Sequence, residues 1–300
     1  MRNRATAPTP VQITRSTRTI WSLQTDPACS FINDRGAEGF GLSVQWAQSE
    51  DEVRLAQRLR YRVFTEEIGA ILAPPAGTPA GVDADRFDPF CDHLLVRARR
   101  GPADMQGAVV GTYRVLPPAA ARRAGGLYAD TEFDLGPLRS LRAHAVELGR
   151  SCVHPAWRSG AVILALWAAL AQYMQLHGLD TMIGCASVGI ADGGTAARQI
   201  WQRLRDAHLA PPCWQINPLI PLRLDTVDDC ESIGPGTAAC GLLLPTELTP
   251  TPPLIKGYLR CGARLLGPPA LDVAFNTADL PMMMRIGDLA PRYRKHFLGA

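Results

Sequence analysis

The stretch Glu147-Leu148-Gly149-Arg150-Ser151-Cys152-Val153-His154-Pro155-Ala156-Trp157-Arg158-Ser159-Gly160-Ala161 gathers a carboxylate, two guanidinium groups, a thiol and an imidazole, then turns into an apolar run. A helix starting at such a turn leaves backbone N–H groups free and carries partial positive charge, so it binds phosphate oxygens without side chains. Gly160 lets a ligand come close to the backbone, and Arg158 adds a charged contact. An ordinary strand-to-helix turn has the same spacing, so the spacing by itself leaves both readings open.

Those residues need a strand before them and a helix after them. Residues 145–153 read as a strand ending at His154-Pro155, and residues 161–176 as a long helix, apolar almost all round at its start and therefore buried. Upstream, residues 43–47 alternate like a strand. Ser49 and Glu52 then form a capping-box pattern ahead of Val53, Ala56, Leu59, Val63 and Phe64. A Pro/Gly/Asp loop over 70–89 carries Asp83, Asp85 and Asp88, and strands at 93–96 and 109–116 make a hairpin. A strand at 181–186 and a helix at 194–208 follow. Residues 210–253 are Pro-rich and irregular, and 258–266, 270–275 and 282–286 close the body. This order predicts a mixed α/β sheet with helices on both faces. Residues 1–40, rich in Thr, Ser, Pro and Arg, are expected to be a mobile N-terminal extension to a folded domain over 41–300.

The chain has 300 residues, 47% hydrophobic and 20% charged, enough for a substantial core. Its net charge of +3 is too small for the concentrated basic stripe of a nucleic-acid binder. Only Lys256 and Lys295 are lysine, so the basic residues are nearly all arginine. The cysteines at 29, 91, 152, 185, 213, 230, 240 and 261 include no C-x-x-C pair and no Cys/His cluster at zinc spacing. They are expected to be reduced core residues of a cytosolic chain that holds no metal. The start MRNRATAPTP is followed by no apolar stretch, and the run 161–171 is well short of the roughly 18–20 residues that span a bilayer.

Several segments, in consistent order over roughly residues 45–298, carry a resemblance. They are Leu59-Arg60-Tyr61-Arg62-Val63-Phe64 with Glu66-Glu67, Cys91-Asp92-His93-Leu94-Leu95-Val96, Val110-Gly111-Thr112-Tyr113-Arg114, the stretch from Glu147 to Pro155, Gly184-Cys185-Ala186-Ser187, Lys256-Gly257-Tyr258-Leu259-Arg260 and Phe275-Asn276-Thr277. Together they resemble the L-ornithine N(alpha)-acyltransferases of ornithine-lipid synthesis, hemolysin-like relatives of the GNAT superfamily. The resemblance implies a GNAT-like mixed, mostly antiparallel sheet flanked by helices on both faces. It also implies transfer of a 3-hydroxyacyl chain from acyl carrier protein to the alpha-amine of L-ornithine, with the acyl-phosphopantetheine of the carrier protein as donor and no permanently bound cofactor. The pantetheine arm would lie between the strand ending at Val153 and the strand 181–186, its phosphate held by Arg158, Gly160 and Ala161. The Arg-Ser-Gly-Ala turn is shorter than the superfamily's usual Gly-rich loop, which suits one phosphate better than the pyrophosphate of coenzyme A.

Direct acyl transfer needs a deprotonated amine and a donor to the thioester oxygen. Glu147 is the first candidate base, because it lies on the strand that meets the thioester and an apolar cleft raises a carboxylate pKa. A salt bridge to Arg150 or another arginine is its other reading. His93 and His154 are rival bases, or else hydrogen-bonded packing residues. Cys152 reads as core. Ornithine carries two ammonium groups and one carboxylate, so Glu66, Glu67, Asp85, Asp88 and Asp92 are candidates for the former and Arg62, Arg114 and Arg150 for the latter. Asn276 and Asp279 match the family's late Asn-Thr-x-Asp stretch without an assignable role.

Two other readings compete. Arg62-Val63-Phe64 followed by Asp83, Asp85 and Asp88 is also similar to acyl-homoserine-lactone synthases, which use S-adenosylmethionine, but Ala70 stands where those enzymes usually have an aromatic residue. A membrane-active protein lacks support from any export signal or long amphipathic helix. Glycine or glutamine as acceptor would keep the reaction class. Residues 282–295 mix apolar and basic side chains and could touch the inner membrane leaflet, or could be a packed strand and terminal helix.

Overall fold

Ser49 accepts a hydrogen bond from Glu52 N at 3.3 Å and so starts the first helix where the capping pattern places it. The computed structural model describes residues 32–33, 41–99, 104, 107–223 and 249–298. Cys29, Cys230, Cys240 and most of the expected extension lie outside the described residues. The strands are β1 (Ile32–Asn33), β2 (Gly41–Trp46), β3 (Asp92–Arg99), β4 (Ala108–Leu116), β5 (Phe133–Asp134), β6 (Ala145–Val153), β7 (Thr181–Gly189), β8 (Asn217–Pro218), β9 (Arg264–Leu265), β10 (Ala270–Asp272) and β11 (Thr277–Arg285). The helices are α1 (Glu50–Tyr61), α2 (Pro118–Arg123), α3 (Ala161–Leu176), α4 (Thr195–His208), α5 (Pro253–Arg260) and α6 (Pro291–Leu298).

The main sheet runs β1-β2-β3-β4-β6-β7-β11-β10, with β9 also on β11. All its pairings are antiparallel except β6 with β7. The mixed, mostly antiparallel sheet is therefore as expected. One face packs on α3, through Leu94, Val96, Tyr113, Val115, Val146 and Leu166 among others. The opposite face carries α1, whose Leu59 meets Cys152, together with the loop layer around Phe87, Phe133 and Leu138. Helix α3, whose sequence leaves no polar stripe, buries seven of its sixteen residues and still exposes Leu164 and Leu176, whereas α4 buries only Ala197, Ile200, Trp201 and Leu204.

The parallel pair decides the position of the site. Strands β6 and β7 pair only at Ala145↔Thr181, Val146↔Met182 and Glu147↔Ile183. Beyond this, β6 pairs with β4 and β7 with β11, so their facing edges part. They part at Gly184, where a Cβ would come within 2.4 Å of the Leu148 carbonyl oxygen. Gly184→Ala is expected to destabilise the protein by about 1–3 kcal/mol through this backbone clash. The check is a urea denaturation curve; an unmoved midpoint would show that the strands separate freely there.

A bulge sits opposite the opening. Thr112 pairs with Cys152 and Arg114 with Gly149, so Arg150 and Ser151 together oppose Tyr113. Arg150 takes φ 52°. The extra residue brings Arg150 onto the face that holds Glu147 and Arg114, where strict alternation would have set it against Glu147.

Of the two readings of the C-terminal stretch, the packed strand and helix is the one observed. Residues 282–285 belong to β11 inside the sheet, with Met282 and Met283 buried, and α6 packs on α3 through Phe297. This segment is the packed strand and helix and not a free surface segment. Cys91, Cys152 and Cys261 are buried as expected, but Cys213 is exposed and is not core. Among the described residues no helix is long and apolar enough to cross a membrane.

Candidate active site

On the α1 face the loop 70–89 lays three aspartates against three arginines. Arg60, fully buried, donates from Nε to Asp83 Oδ2 at 2.8 Å and from its terminal nitrogens to Asp88 Oδ1 at 3.1 Å and Oδ2 at 2.6 Å. Arg114 donates to Asp85 Oδ2 at 2.6 Å and Asp88 Oδ1 at 3.0 Å, and Arg150 to Asp85 Oδ2 at 3.1 Å. Burial by itself would raise these carboxyls. Arg60 and Arg114 outweigh it at Asp88, and Arg114 and Arg150 outweigh it at Asp85, so both are held below the ordinary range and ionised. The layer is charge-balanced and fixes the arginines in place. The Arg150 guanidinium also lies over the rings of Tyr128, at 5.0 Å, and Phe275, at 4.3 Å.

Glu147 lies beneath this layer and is 6% exposed. Its Oε2 accepts from Tyr128 N at 2.6 Å and its Oε1 from Ala129 N at 2.7 Å. Burial raises its pKa to about 7 against the pull of those two bonds. Both oxygens thus clasp the start of the 3-10 turn Tyr128–Thr131. The same turn ends at Glu132, which reaches the β7 side of the opening. Its Oε2 accepts from Cys185 Sγ at 3.5 Å, its Oε1 has no formed hydrogen bond among the described residues, and the Tyr128 phenol stands nearby. Burial, reinforced by Asp279 and Asp272, pushes Glu132 up to about 8. Asp279, on β11, accepts from Thr277 Oγ1 at 2.9 Å, and burial raises it to about 6. Ligand atoms of Glu132, Cys185 and Asp279 all lie within 4.8 Å of one another.

At the other end of the opening, Gly160 takes φ 105° and caps α3, so its left-handed backbone is what the glycine supplies. The first N–H groups of α3, from Ala161 onward, have no intrahelical acceptor. Arg158 donates from Nε to the Val153 carbonyl at 3.1 Å and holds Glu67 through both terminal nitrogens, at 2.5 and 2.8 Å.

The expected substrate residues therefore divide. Asp88, Arg114 and Arg150 come together with Asp85. Glu67 does not join them; it pairs with Arg158 at the helix end, because the π-helical turn Arg62–Glu67 points it that way. Arg62 and Glu66 are exposed on that turn, away from the layer. Asp92 accepts from Tyr173 Oη at 2.8 Å, on α3, and is likewise outside it. His154 caps the turn Pro155–Trp157 through Ala156 N at 3.3 Å. His93 is buried with Nε2 3.2 Å from the Asp88 carbonyl oxygen, and burial lowers its pKa, so it is neutral. The sequence reading missed Arg60, Glu132 and Asp272 and left Asp279 without a role. Asp279 was the readable one, since a charged residue amid the apolar run of β11 is conspicuous. Glu132 lies in a segment with no periodic pattern.

A family profile described as an acetyltransferase (GNAT) domain matches residues 59–168. A protein of Rhizobium meliloti (strain 1021) named L-ornithine N(alpha)-acyltransferase is 36% identical over 266 residues, covering 85% of this chain and 84% of that protein. A protein of the same name from Rhodobacter capsulatus is 35% identical over 254 residues, covering 85% and 93%. Among solved structures, the AHL synthase LasI aligns over 86% of this chain and 95% of its own, at 14% identity and a TM-score of 0.47.

Proposed function

The chain belongs to the L-ornithine N(alpha)-acyltransferase family, and from that premise we propose that residues 41–300 move a 3-hydroxyacyl chain from acyl carrier protein to the alpha-amine of L-ornithine. The observation that carries this reading is the parting of β6 and β7, with free helix N–H groups at one end and a partnered arginine-carboxylate layer on one face. The phosphopantetheine arm enters along the parted edges. Its phosphate meets the N–H groups of Ala161 and its neighbours, beside Val153 and Gly160, with Arg158 steadied by Glu67. The thioester oxygen takes hydrogen bonds from backbone N–H groups on the facing strand edges.

Ornithine lies on the α1 face. Arg150, whose guanidinium lies over the Tyr128 and Phe275 rings, takes its carboxylate, and Asp272 and Asp279 take the side-chain ammonium. Glu132 is the base, because burial raises its pKa and the Cys185 thiol and Tyr128 phenol beside it leave one of its oxygens without a well-formed hydrogen bond. The alpha-amine enters deprotonated, its ammonium proton lost to solvent; its nitrogen bonds to the thioester carbon as Glu132 takes a proton from it, the C–S bond breaks, and the thiolate leaves with the proton from Glu132. Glu147 is a positioning residue, since both its oxygens are spent on the turn that carries Tyr128 and Glu132.

The product is an amphiphile, which favours release at the inner leaflet. Ile71 and Val273, 77% and 70% exposed, stand on adjacent loops joined by Ile71 N to Ala274 O at 2.7 Å. They support peripheral contact near the site.

Incubation with 3-hydroxyacyl-carrier protein and ornithine is expected to give lyso-ornithine lipid by mass spectrometry. Product from S-adenosylmethionine in place of ornithine would overturn the reading in favour of acyl-homoserine-lactone synthesis.

A further inference from the structure

Arg60, Arg114, Arg150 and Arg158 each hold a carboxylate, but two arginines at the end of α1 do not. Arg58 and Arg62 are exposed and make no ion pair among the described residues. The Arg62 N–H bonds to the Arg58 carbonyl, so the two side chains leave the helix one above the other, their Cβ atoms about 5–6 Å apart. Leu55, 37% exposed, precedes Arg58 by three residues and shares that face. The opposite face of α1 packs inward through Ala56, Leu59 and Arg60. An exposed ridge of Leu55, Arg58 and Arg62 therefore runs along the helix.

This ridge leads to the phosphate end of the site. Arg62 opens the π-helical turn that ends at Glu67, and Ile68 N bonds to Val63 O at 3.2 Å, so Glu67 stands about one turn beyond Arg62. Glu67 holds Arg158, whose Nε donates to the Val153 carbonyl close to the start of α3. The phosphate of a carrier-bound pantetheine is esterified directly to a serine of the carrier, so a phosphate held at Ala161 brings the carrier's own surface onto this rim. Carrier proteins are acidic. Arg158 and Glu67 cancel each other there, and Glu66 is a single exposed acid, so Arg58 and Arg62 supply the uncompensated positive charge.

We infer that the exposed ridge of α1 is the docking surface for the carrier protein, whose acidic side chains meet Arg58 and Arg62 while an apolar one meets Leu55. The inference rests on the acyltransferase reading above and adds to it the surface that tells a carrier-bound donor from a free thioester. Charges at the rim of an interface act mainly on encounter and are screened by salt. The ridge therefore governs capture of the donor and not the chemical step.

The test measures kcat and KM for 3-hydroxytetradecanoyl-carrier protein with ornithine in the unaltered protein, in the double variant Arg58→Glu/Arg62→Glu, and in Arg205→Glu, an exposed site on α4 at the β7 side of the sheet. All three positions are exposed, so the fold tolerates the changes. The double variant is expected to raise KM for the carrier-bound donor by at least about tenfold and to flatten its salt dependence, while kcat and KM for ornithine stay within about twofold. The same acyl group supplied as its free phosphopantetheine thioester should show no such rise, and Arg205→Glu should behave as the unaltered protein. A carrier KM that moves by less than about twofold, or a rise shared by Arg205→Glu or by the free thioester, overturns the inference and leaves the acyltransferase reading standing. No transfer to ornithine from either donor by the unaltered protein overturns that reading and this inference with it.

Discussion

Glu132→Gln is expected to lower kcat by about 10²–10⁴-fold, the usual contribution of a positioned general base, with a smaller effect on KM for the donor. The substitution keeps the shape and the acceptor for Cys185 Sγ but removes the lone pair that takes the amine proton. The pH dependence separates this role from a structural one. Burial beside Asp279 and Asp272 holds Glu132 near 8, and the base form is the ionised one, so the rate should climb as pH rises through about 8. That limb should vanish in the variant. The same raised pKa makes ionisation costlier in the fold than in the unfolded chain, so Glu132 stabilises the fold most below the ordinary carboxylate pKa, and this contribution fades as pH rises toward 8. Glu147→Gln gives the contrast. Its amide would face a backbone N–H with a second N–H, so the turn at Tyr128 loosens and the protein loses about 1–3 kcal/mol of stability. A Glu132→Gln enzyme with an unchanged profile, beside a stable but inert Glu147→Gln enzyme, would return the base to Glu147.

Arg60→Met is expected to cost about 3–5 kcal/mol, because it leaves the buried carboxylates of Asp83 and Asp88 without their principal partner. Methionine fills much of the volume, so the loss reports charge more than cavity. The hydrogen bond from Gln57 Nε2 to Asp88, at 2.9 Å, and that from Arg114 remain but do not neutralise the pair. The sign with pH follows from Asp88, whose pKa is depressed despite burial by Arg60 and Arg114. Its stabilisation is present above the ordinary aspartate pKa and lost as pH falls, so the gap between variant and unaltered protein should narrow in acid. Urea denaturation at pH 7 and at about pH 2, well below the ordinary aspartate value, measures this. A cost below about 1 kcal/mol at pH 7 would mean that the loop opens and its aspartates find water.

Local features were readable where the physical cause is local. Ser49 before an apolar period of 3.6 gives α1, the unbroken apolar run gives a buried α3 starting at Ala161, and Gly160 marks the turn before it. The resemblance supplied the chemistry, and the order of elements supplied a mixed sheet. Charge partners were not readable in the same way. Arg158 and Glu67 are 91 residues apart in the chain, and Arg150 and Asp85 are 65 apart. No spacing rule distinguishes Glu67 from Glu66 as the one that pairs with Arg158 at the surface.

The sequence by itself therefore determined the main strands and helices as far as α4, their order and the glycine turn before α3, since propensity, periodicity and capping act over a few residues. The tertiary structure alone decided which carboxylate clasps a turn and which faces the Cys185 thiol and the Tyr128 phenol. That outcome rests on a β-bulge that shifts Arg150 across the sheet, on strands that part at Gly184, and on a loop that folds Glu132 over the opening. Each is a long-range closure, in which packing and charge pairing outweigh anything the local pattern favours.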